Sequence, residues 1–189
     1  MTRKISDKFK LILYLCALMV GVHVLNVVLN YQLNRFGIYP RHLDSLWTVF
    51  AAPFLHGSTA HLLNNLVGFC IFSALVLVHS IRRYLLNSLF IIVAGGVLVW
   101  LFGRPATHIG ASGWVFGLWS LCIATAWFER RFINILIALF VVLFYGGLIY
   151  GVLPTDARIS FEAHLFGALM GFYCAFLNAK GFFGKRKRI

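Results

Sequence analysis

The chain has 189 residues, of which 61% are hydrophobic and only 12% are charged, and its mean hydropathy is +0.87. A soluble domain is on average about 45–50% apolar and about 25% charged, so this composition excludes a soluble globule as well as a disordered chain. The net charge of +12 does not indicate nucleic-acid binding, because the basic residues are scattered or terminal and form no face with interleaved aromatics. We therefore expect one membrane domain over residues 1–189.

Six apolar stretches are long enough to cross a bilayer as helices, which takes about 20 residues. None of them contains Asp, Glu, Lys or Arg, and none alternates polar and apolar residues as barrel strands do. The predicted fold class is therefore an all-α membrane protein. The first stretch is too long for a signal peptide and lacks a small-residue cleavage site, so we expect it to remain as a span. The predicted spans are residues 11–29, 61–79, 84–102, 112–128, 132–152 and 163–179.

The long connection over residues 30–60 is unusual because it is rich in apolar side chains. Connections of this length are commonly functional or disordered, and this one is too apolar for disorder. We expect it to fold partly into the membrane interface, with Trp47 as an interfacial anchor.

The distribution of Lys and Arg predicts the orientation in the membrane. Thirteen of the 17 basic residues fall on the side that carries both termini, and four fall on the other side. Both termini are therefore predicted to be cytoplasmic. The basic tail over residues 180–189 is predicted to anchor this topology and to favour anionic lipid.

Several polar side chains lie near the predicted outer ends of spans, where such groups are costly and suggest function. Because spans two, four and six all begin on the outer side, these residues converge on one shallow layer. We interpret four other histidines as interfacial. The converging residues are His61, Asn64, Asn65, Ser112 and His164, and the histidines interpreted as interfacial are His23, His42, His79 and His108.

Glycines surround the serine and one of the histidines. Gly110 precedes Ser112, where a tight turn would use glycine. Two small-xxx-small stripes follow, one after Ser112 and one after His164, and such stripes let helices approach closely. Packed face to face, the two helices would pair a nucleophile with a base. The stripes are Gly113 with Gly117, and Gly167 with Gly171.

A second group of donors is predicted beside the serine. His61 and Asn65 are four residues apart and share one helix face. Together with the Ser112 backbone N–H they are suited to stabilise an oxyanion, and His56 is predicted to support the loop or the same cluster. Glu162 would point away from His164, so a Ser–His dyad without an acid is the simpler interpretation.

This set of motifs resembles the rhomboid family of intramembrane serine proteases. The resemblance rests on His56, His61 with Asn65, Gly110-Ala111-Ser112-Gly113 and the HxxGxxxG pattern from His164 to Gly171. It implies a six-helix bundle of the minimal prokaryotic type, with the first outer loop partly in the membrane and span five gating substrate access. It implies that Ser112 is the nucleophile, His164 the base, and His61 and Asn65 the oxyanion donors.

The resemblance also has departures and consequences for partners. Many rhomboids have Trp-Arg in the first outer loop and Tyr four residues after the nucleophile, whereas this chain has Trp47-Thr48 and Phe116. A Phe116 ring can still stack on the catalytic histidine. The implied substrates are transmembrane segments of other proteins, cut near their outer ends. The implied location is a bacterial inner membrane, with the active site opening to the outer side.

Alternative functions remain open at this level. A catalytically silent rhomboid-like protein would bind transmembrane clients without cutting them. A haem or metal carrier using His61 and His164 would leave Ser112 and the glycines unexplained. A small transporter would be expected to show repeated halves and broken helices. Serine acyl transfer requires no cofactor, so we expect no cofactor, no metal and no nucleic acid.

Overall fold

The computed structural model describes residues 2–156 and 159–182, with side chains from Ser6 onward. A helix forms in each of the six predicted stretches, which confirms the all-α prediction. The α-helices are α1 (Thr2–Val28), α2 (Thr59–Val76), α3 (Ile81–Phe102), α4 (Ser112–Glu129), α5 (Phe132–Tyr145) and α6 (Phe161–Ala179). Short 3-10 helices cover Gln32–Phe36, Leu43–Phe50, Ala52–Phe54 and Gly146–Val152.

Four helical segments among the described residues are long and apolar enough to cross a membrane. They are Ser6–Val28, Thr59–Val76, Ile81–Phe102 and Phe132–Val152. Helices α4 and α6 are helical as predicted but are not among these four. Each of them contains an acidic residue and two glycines: Glu129, Gly113 and Gly117 in α4, and Glu162, Gly167 and Gly171 in α6.

Helix α4 lies at the centre of the bundle. It contacts α2, α3, α5 and α6, and most of its side chains are buried all round. A helix enclosed by protein on every side presents little surface to lipid, so it does not require the uniform hydropathy of a lipid-facing span. The core around it includes Phe69, Phe72, Leu118 and Leu121.

The α4–α6 pair is in close contact through the two glycine stripes. A Cβ atom added to Gly167 would collide with the Gly113 carbonyl oxygen, and one added to Gly171 would collide with the Gly117 carbonyl oxygen. The two helices therefore run side by side and parallel, with backbone against backbone. This confirms the predicted packing role of the four glycines.

The loop before α2 is folded and braced. The Thr48 hydroxyl donates to the Gly37 carbonyl at 3.0 Å and contacts the Ser45 carbonyl at 2.6 Å. Arg41 donates from its guanidinium to the Gly103 carbonyl at 2.8 Å, which ties this loop to the end of α3. Thr48 thus supplies internal hydrogen bonds at the position where the resemblance led us to compare it with arginine.

One prediction lies outside the described part of the chain. The basic run over 185–188, within the tail predicted to anchor the topology, belongs to residues that the structure does not describe.

The glycine contact predicts a large asymmetry between two Gly→Ala variants. Gly171→Ala should lower the melting temperature by about 5–10 °C, because forcing a methyl group between two backbones costs roughly 1–3 kcal/mol. Gly21→Ala in α1 is the matched control, since nothing lies within 4 Å of a Cβ added there. It should be neutral or stabilising, because alanine favours helix over glycine. Thermal unfolding in detergent measures both, and equal effects would contradict this packing.

Candidate active site

Ser112 is the first residue of α4 and follows a strained turn. Gly110 has a φ of 112°, a conformation that favours glycine, as predicted. The Gly110 N–H donates to the Ala52 carbonyl at 2.9 Å, which fixes the turn against the folded loop. The turn thereby sets where α4 starts and where the Ser112 side chain emerges.

His164 lies in the first turn of α6 and is held on two sides. Its Nδ1 atom lies 2.9 Å from the Gly151 carbonyl oxygen. Because a carbonyl oxygen only accepts, Nδ1 carries the proton and Nε2 has a free lone pair. The Phe116 ring stacks on the imidazole with centroids 4.1 Å apart and planes at 8°. The stacking expected of Phe116 is therefore confirmed.

The glycine contact brings the serine and the histidine to the same level of the bundle. A Cβ added to Gly113 would lie 3.0 Å from the Ala163 carbonyl oxygen, so the chain neighbours of Ser112 and His164 touch. Among the residues that the structure describes, neither the Ser112 hydroxyl nor His164 Nε2 forms a hydrogen bond. Within the described part of the chain, both atoms are thus free of competing partners.

His61 and Asn65 lie directly beside the turn that precedes Ser112. A Cβ added to Gly110 would lie 2.6 Å from His61 Nε2 and 3.4 Å from Asn65 Nδ2. Within the described chain, the buried Asn65 Nδ2 has no hydrogen-bond partner. A buried donor without a partner costs stability unless a ligand engages it. The pair therefore places two side chains with hydrogen-bonding nitrogens beside the turn that leads into Ser112.

His56 is fully buried in the loop before α2 and supports the same turn. Its Nε2 accepts a long hydrogen bond of 3.4 Å from the Ala111 N–H. Burial, followed by the charge of His61, lowers the pKa of His56 to about 4. The imidazole is therefore neutral at physiological pH, as an acceptor must be.

The N-terminus of α4 lacks a side-chain cap, as does that of α5. Serine side chains cap α2, α3 and α6, whereas Ala111 precedes α4 and offers no side-chain acceptor. The first N–H groups of α4 are therefore left to other acceptors, at the positive end of the helix dipole.

The nearest acidic residue does not reach His164 Nδ1. Glu162 accepts from the Arg104 backbone N–H at 3.2 Å and pairs with Arg104 Nε at 3.5 Å. It therefore ties the loop before α4 to the start of α6 and leaves Nδ1 to Gly151.

Two of the histidines predicted to be interfacial are buried instead, so that prediction is wrong for them. His23 is 4% exposed and lies 3.2 Å from the Thr59 hydroxyl; His108 is 3% exposed and lies 2.6 Å from the Ser160 hydroxyl. Burial also lowers the pKa of His108, a loop residue. Nothing in the local sequence separates these two residues from exposed His42, because their hydroxyl partners are remote in the chain.

The described residues include no group of three or more His, Cys, Asp or Glu arranged to hold a metal ion.

Comparisons with known proteins identify the family. The family model described as Rhomboid domain matches residues 43–181. An uncharacterised protein of Mycobacterium tuberculosis is 32% identical over 88% of this chain and 73% of its own length. RHOMBOID-like protein 1 of Arabidopsis thaliana is 29% identical over 72% of this chain and 35% of its own length. YdcA of Bacillus subtilis, provisionally named a rhomboid protease, is 28% identical over 69% of this chain and 66% of its own length.

The fold and the site define an integral membrane protein made of helices, in which a serine and a histidine begin two helices joined by glycine stripes. This chain belongs to the rhomboid family. The resemblance inferred from the motifs is thereby confirmed.

The buried His56 predicts a pH dependence of stability. The unfolded chain binds a proton at His56 near pH 6.5 and the folded chain near pH 4, so acidification between these values favours unfolding. This group should remove about 2 kcal/mol of stability between pH 7 and 4.5.

His56→Gln keeps an acceptor but does not titrate, so its melting temperature should fall less over that range than that of the wild type. His42→Gln, at an exposed position in the same loop, is the matched control and should follow the wild type. If His56→Gln also followed the wild type, His56 would not be the group responsible.

Proposed function

We propose that this protein is an intramembrane serine endopeptidase that cleaves transmembrane segments of other membrane proteins near their outer ends. Ser112 is the nucleophile and His164 the general base. The observation that carries the proposal is the glycine-mediated contact of α4 with α6, which makes the neighbours of these two residues touch. Family membership supports the same reaction class.

The proposed reaction proceeds by acyl transfer. His164 Nε2 takes the proton of Ser112 Oγ as this oxygen attacks the scissile carbonyl carbon. The protonated imidazole then gives that proton to the leaving amine as the C–N bond breaks. A water molecule loses a proton to His164 as it attacks the acyl-enzyme, and the proton returns to Ser112 Oγ when the acid product leaves.

The negative oxygen formed in the attack requires donors that are already in place. We assign this role to Asn65 Nδ2, His61 and the Ser112 backbone N–H. Support comes from the unpartnered Asn65 donor, from the closeness of both side chains to Gly110, and from the missing side-chain cap of α4. Preorganised donors of this kind stabilise charge that develops in the transition state.

The proposal includes an arrangement in the membrane. All six α-helices cross the bilayer as one domain over residues 1–189, with both termini cytoplasmic and the active site opening to the outer side of a bacterial inner membrane. The asymmetry of Lys and Arg supports this orientation. The exposed apolar Leu43, Trp47 and Phe50 support insertion of the first outer loop into the interface. Substrate and lipid are the expected partners, without a cofactor.

The alternative is a rhomboid-like protein that binds transmembrane clients and does not cut them. The missing hydrogen bond between Ser112 and His164 among the described residues is the observation that favours it. Catalytic hydrogen bonds, however, often form only when substrate is bound, so this geometry does not argue against catalysis.

Labelling by a fluorophosphonate probe tests for an activated serine without knowledge of the substrate. Wild-type protein in liposomes should be labelled, and Ser112→Ala and His164→Ala should lose labelling, because one removes the nucleophile and the other its base. Ser120→Ala, two turns along the same helix, is the matched control and should be labelled like wild type. Folded wild-type protein that resists two different serine-directed probe chemistries would favour the client-binding alternative.

Removal of one oxyanion donor should impair the enzyme without abolishing it. Asn65→Ala should lower the rate of labelling about 10²–10³-fold, the usual cost of losing one such donor. The adjacent Asn64 is exposed, and Asn64→Ala is the matched control that should keep the wild-type rate. A fully active Asn65→Ala variant would exclude Asn65 from the oxyanion site.

A further inference from the structure

The partner of His164 Nδ1 is a backbone carbonyl in a short 3-10 helix. This segment, Gly146–Val152, directly follows α5. Its Gly151 carbonyl oxygen lies 2.9 Å from His164 Nδ1, and this is the hydrogen bond that the imidazole forms within the described residues. The opposite nitrogen, Nε2, is the atom required as the base. The position of Gly151 therefore decides which tautomer the base adopts.

In the described part of the chain, no carboxylate accepts a hydrogen bond from His164 Nδ1. Glu162 is the nearest acid in sequence, and its carboxylate is engaged by Arg104. In serine hydrolases with a third residue, an acid bonds Nδ1–H and holds the imidazole in the correct tautomer and orientation. A carbonyl oxygen provides the same acceptor without burying a second charge, which would be costly in a membrane.

The geometry of Gly151 leaves no room for another side chain. A Cβ atom there would lie 2.6 Å from Phe116 Cζ and 3.5 Å from His164 Nδ1. The Phe116 ring stacks on the imidazole, so Gly151 and Phe116 together confine His164 from two directions.

The segment begins with two glycines directly after the end of α5. Trp119 Nε1 donates to the Tyr145 carbonyl at 3.1 Å, which fixes the last residue of α5 to the central helix. Beyond it, Gly146 and Gly147 have nothing within 4 Å of an added Cβ. Farther along the segment, Leu148 and Val152 pack against the hydrophobic core.

From these contacts we propose that the Gly151 carbonyl is a positioning group for His164, taking the part that an acid plays in a catalytic triad. The 3-10 segment after α5 thereby links the position of α5 to the tautomer of His164 in which Nε2 can accept a proton. This inference rests on the proposed protease function. Movement of the segment away from His164 frees Nδ1 and permits the tautomer in which Nε2 carries the proton and cannot accept one.

An ester at residue 152 tests the acceptor while leaving every side chain in place. Replacing Val152 by its α-hydroxy acid turns the Gly151 carbonyl into an ester carbonyl, which is a weaker acceptor. The rate of fluorophosphonate labelling should fall about tenfold, as expected for the loss of one hydrogen bond to a group that becomes charged. The matched control is the corresponding ester at Leu148, which removes one N–H from the same segment and should leave labelling unchanged.

The second readout is the tautomer of His164, measured by ¹⁵N chemical shifts of the labelled imidazole at a pH where it is neutral. The unmodified protein should hold its proton on Nδ1, and the ester at 152 should give a mixture of both tautomers. Unchanged tautomer and unchanged labelling in that variant would overturn the proposal, as would equal losses in the Leu148 control. The tautomer measurement does not depend on catalysis. If the ester at 152 changed the tautomer but no probe labelled even the unmodified protein, the positioning role of Gly151 would stand and the protease function would be rejected.

A simpler pair of variants serves if the ester proteins are not recovered folded. Gly151→Ala should lower labelling at least tenfold and shift the tautomer, because the methyl group collides with Phe116 and displaces the carbonyl. Gly147→Ala lies in the same segment in open space and should behave as wild type. Equal behaviour of the two variants in the tautomer measurement would overturn the assignment.

Discussion

The site depends on one close approach of two helices. Helices α4 and α6 meet backbone to backbone because Gly167 and Gly171 present no side chain where the Gly113 and Gly117 carbonyl oxygens lie. With larger residues the helix axes would separate, and a serine and an imidazole at the two helix starts would no longer share one site. Lipid offers no hydrophobic drive for helix association, so such tight van der Waals contact is also what holds the pair together.

Polar groups at the site are held by the backbone more than by charges. His56 accepts from the Ala111 N–H, His164 bonds the Gly151 carbonyl, and Gly110 donates to Ala52. Neutral partners of this kind satisfy an imidazole without adding an ion to an apolar interior, where an unpaired charge is expensive. The buried charge of Glu162 is accordingly paired with Arg104, away from the reactive atoms.

Much of the site could be predicted because its signals are local. The helical stretches follow from apolar length, and His61 with Asn65 follows from a spacing of four residues. The positive φ of Gly110 and the stacking of Phe116 could also be predicted from the residues around Ser112. The burial of His23 and His108 was not, because their partners, Thr59 and Ser160, are remote in the chain.

The sequence by itself determined a helical membrane protein of the rhomboid family and singled out Ser112 and His164 as the proposed reactive pair, since hydropathy, glycine stripes and motif spacing are properties of short segments. Only the tertiary structure decided that α4 is enclosed by its neighbours and that Gly151 is the acceptor for His164. It also decided that Asn65 lies beside the Ser112 turn with an Nδ2 that has no partner among the described residues. The physical reason is that a backbone carbonyl is the same in every residue. Its role as an acceptor depends on where the fold places it, so the residue type at position 151 does not predict that role.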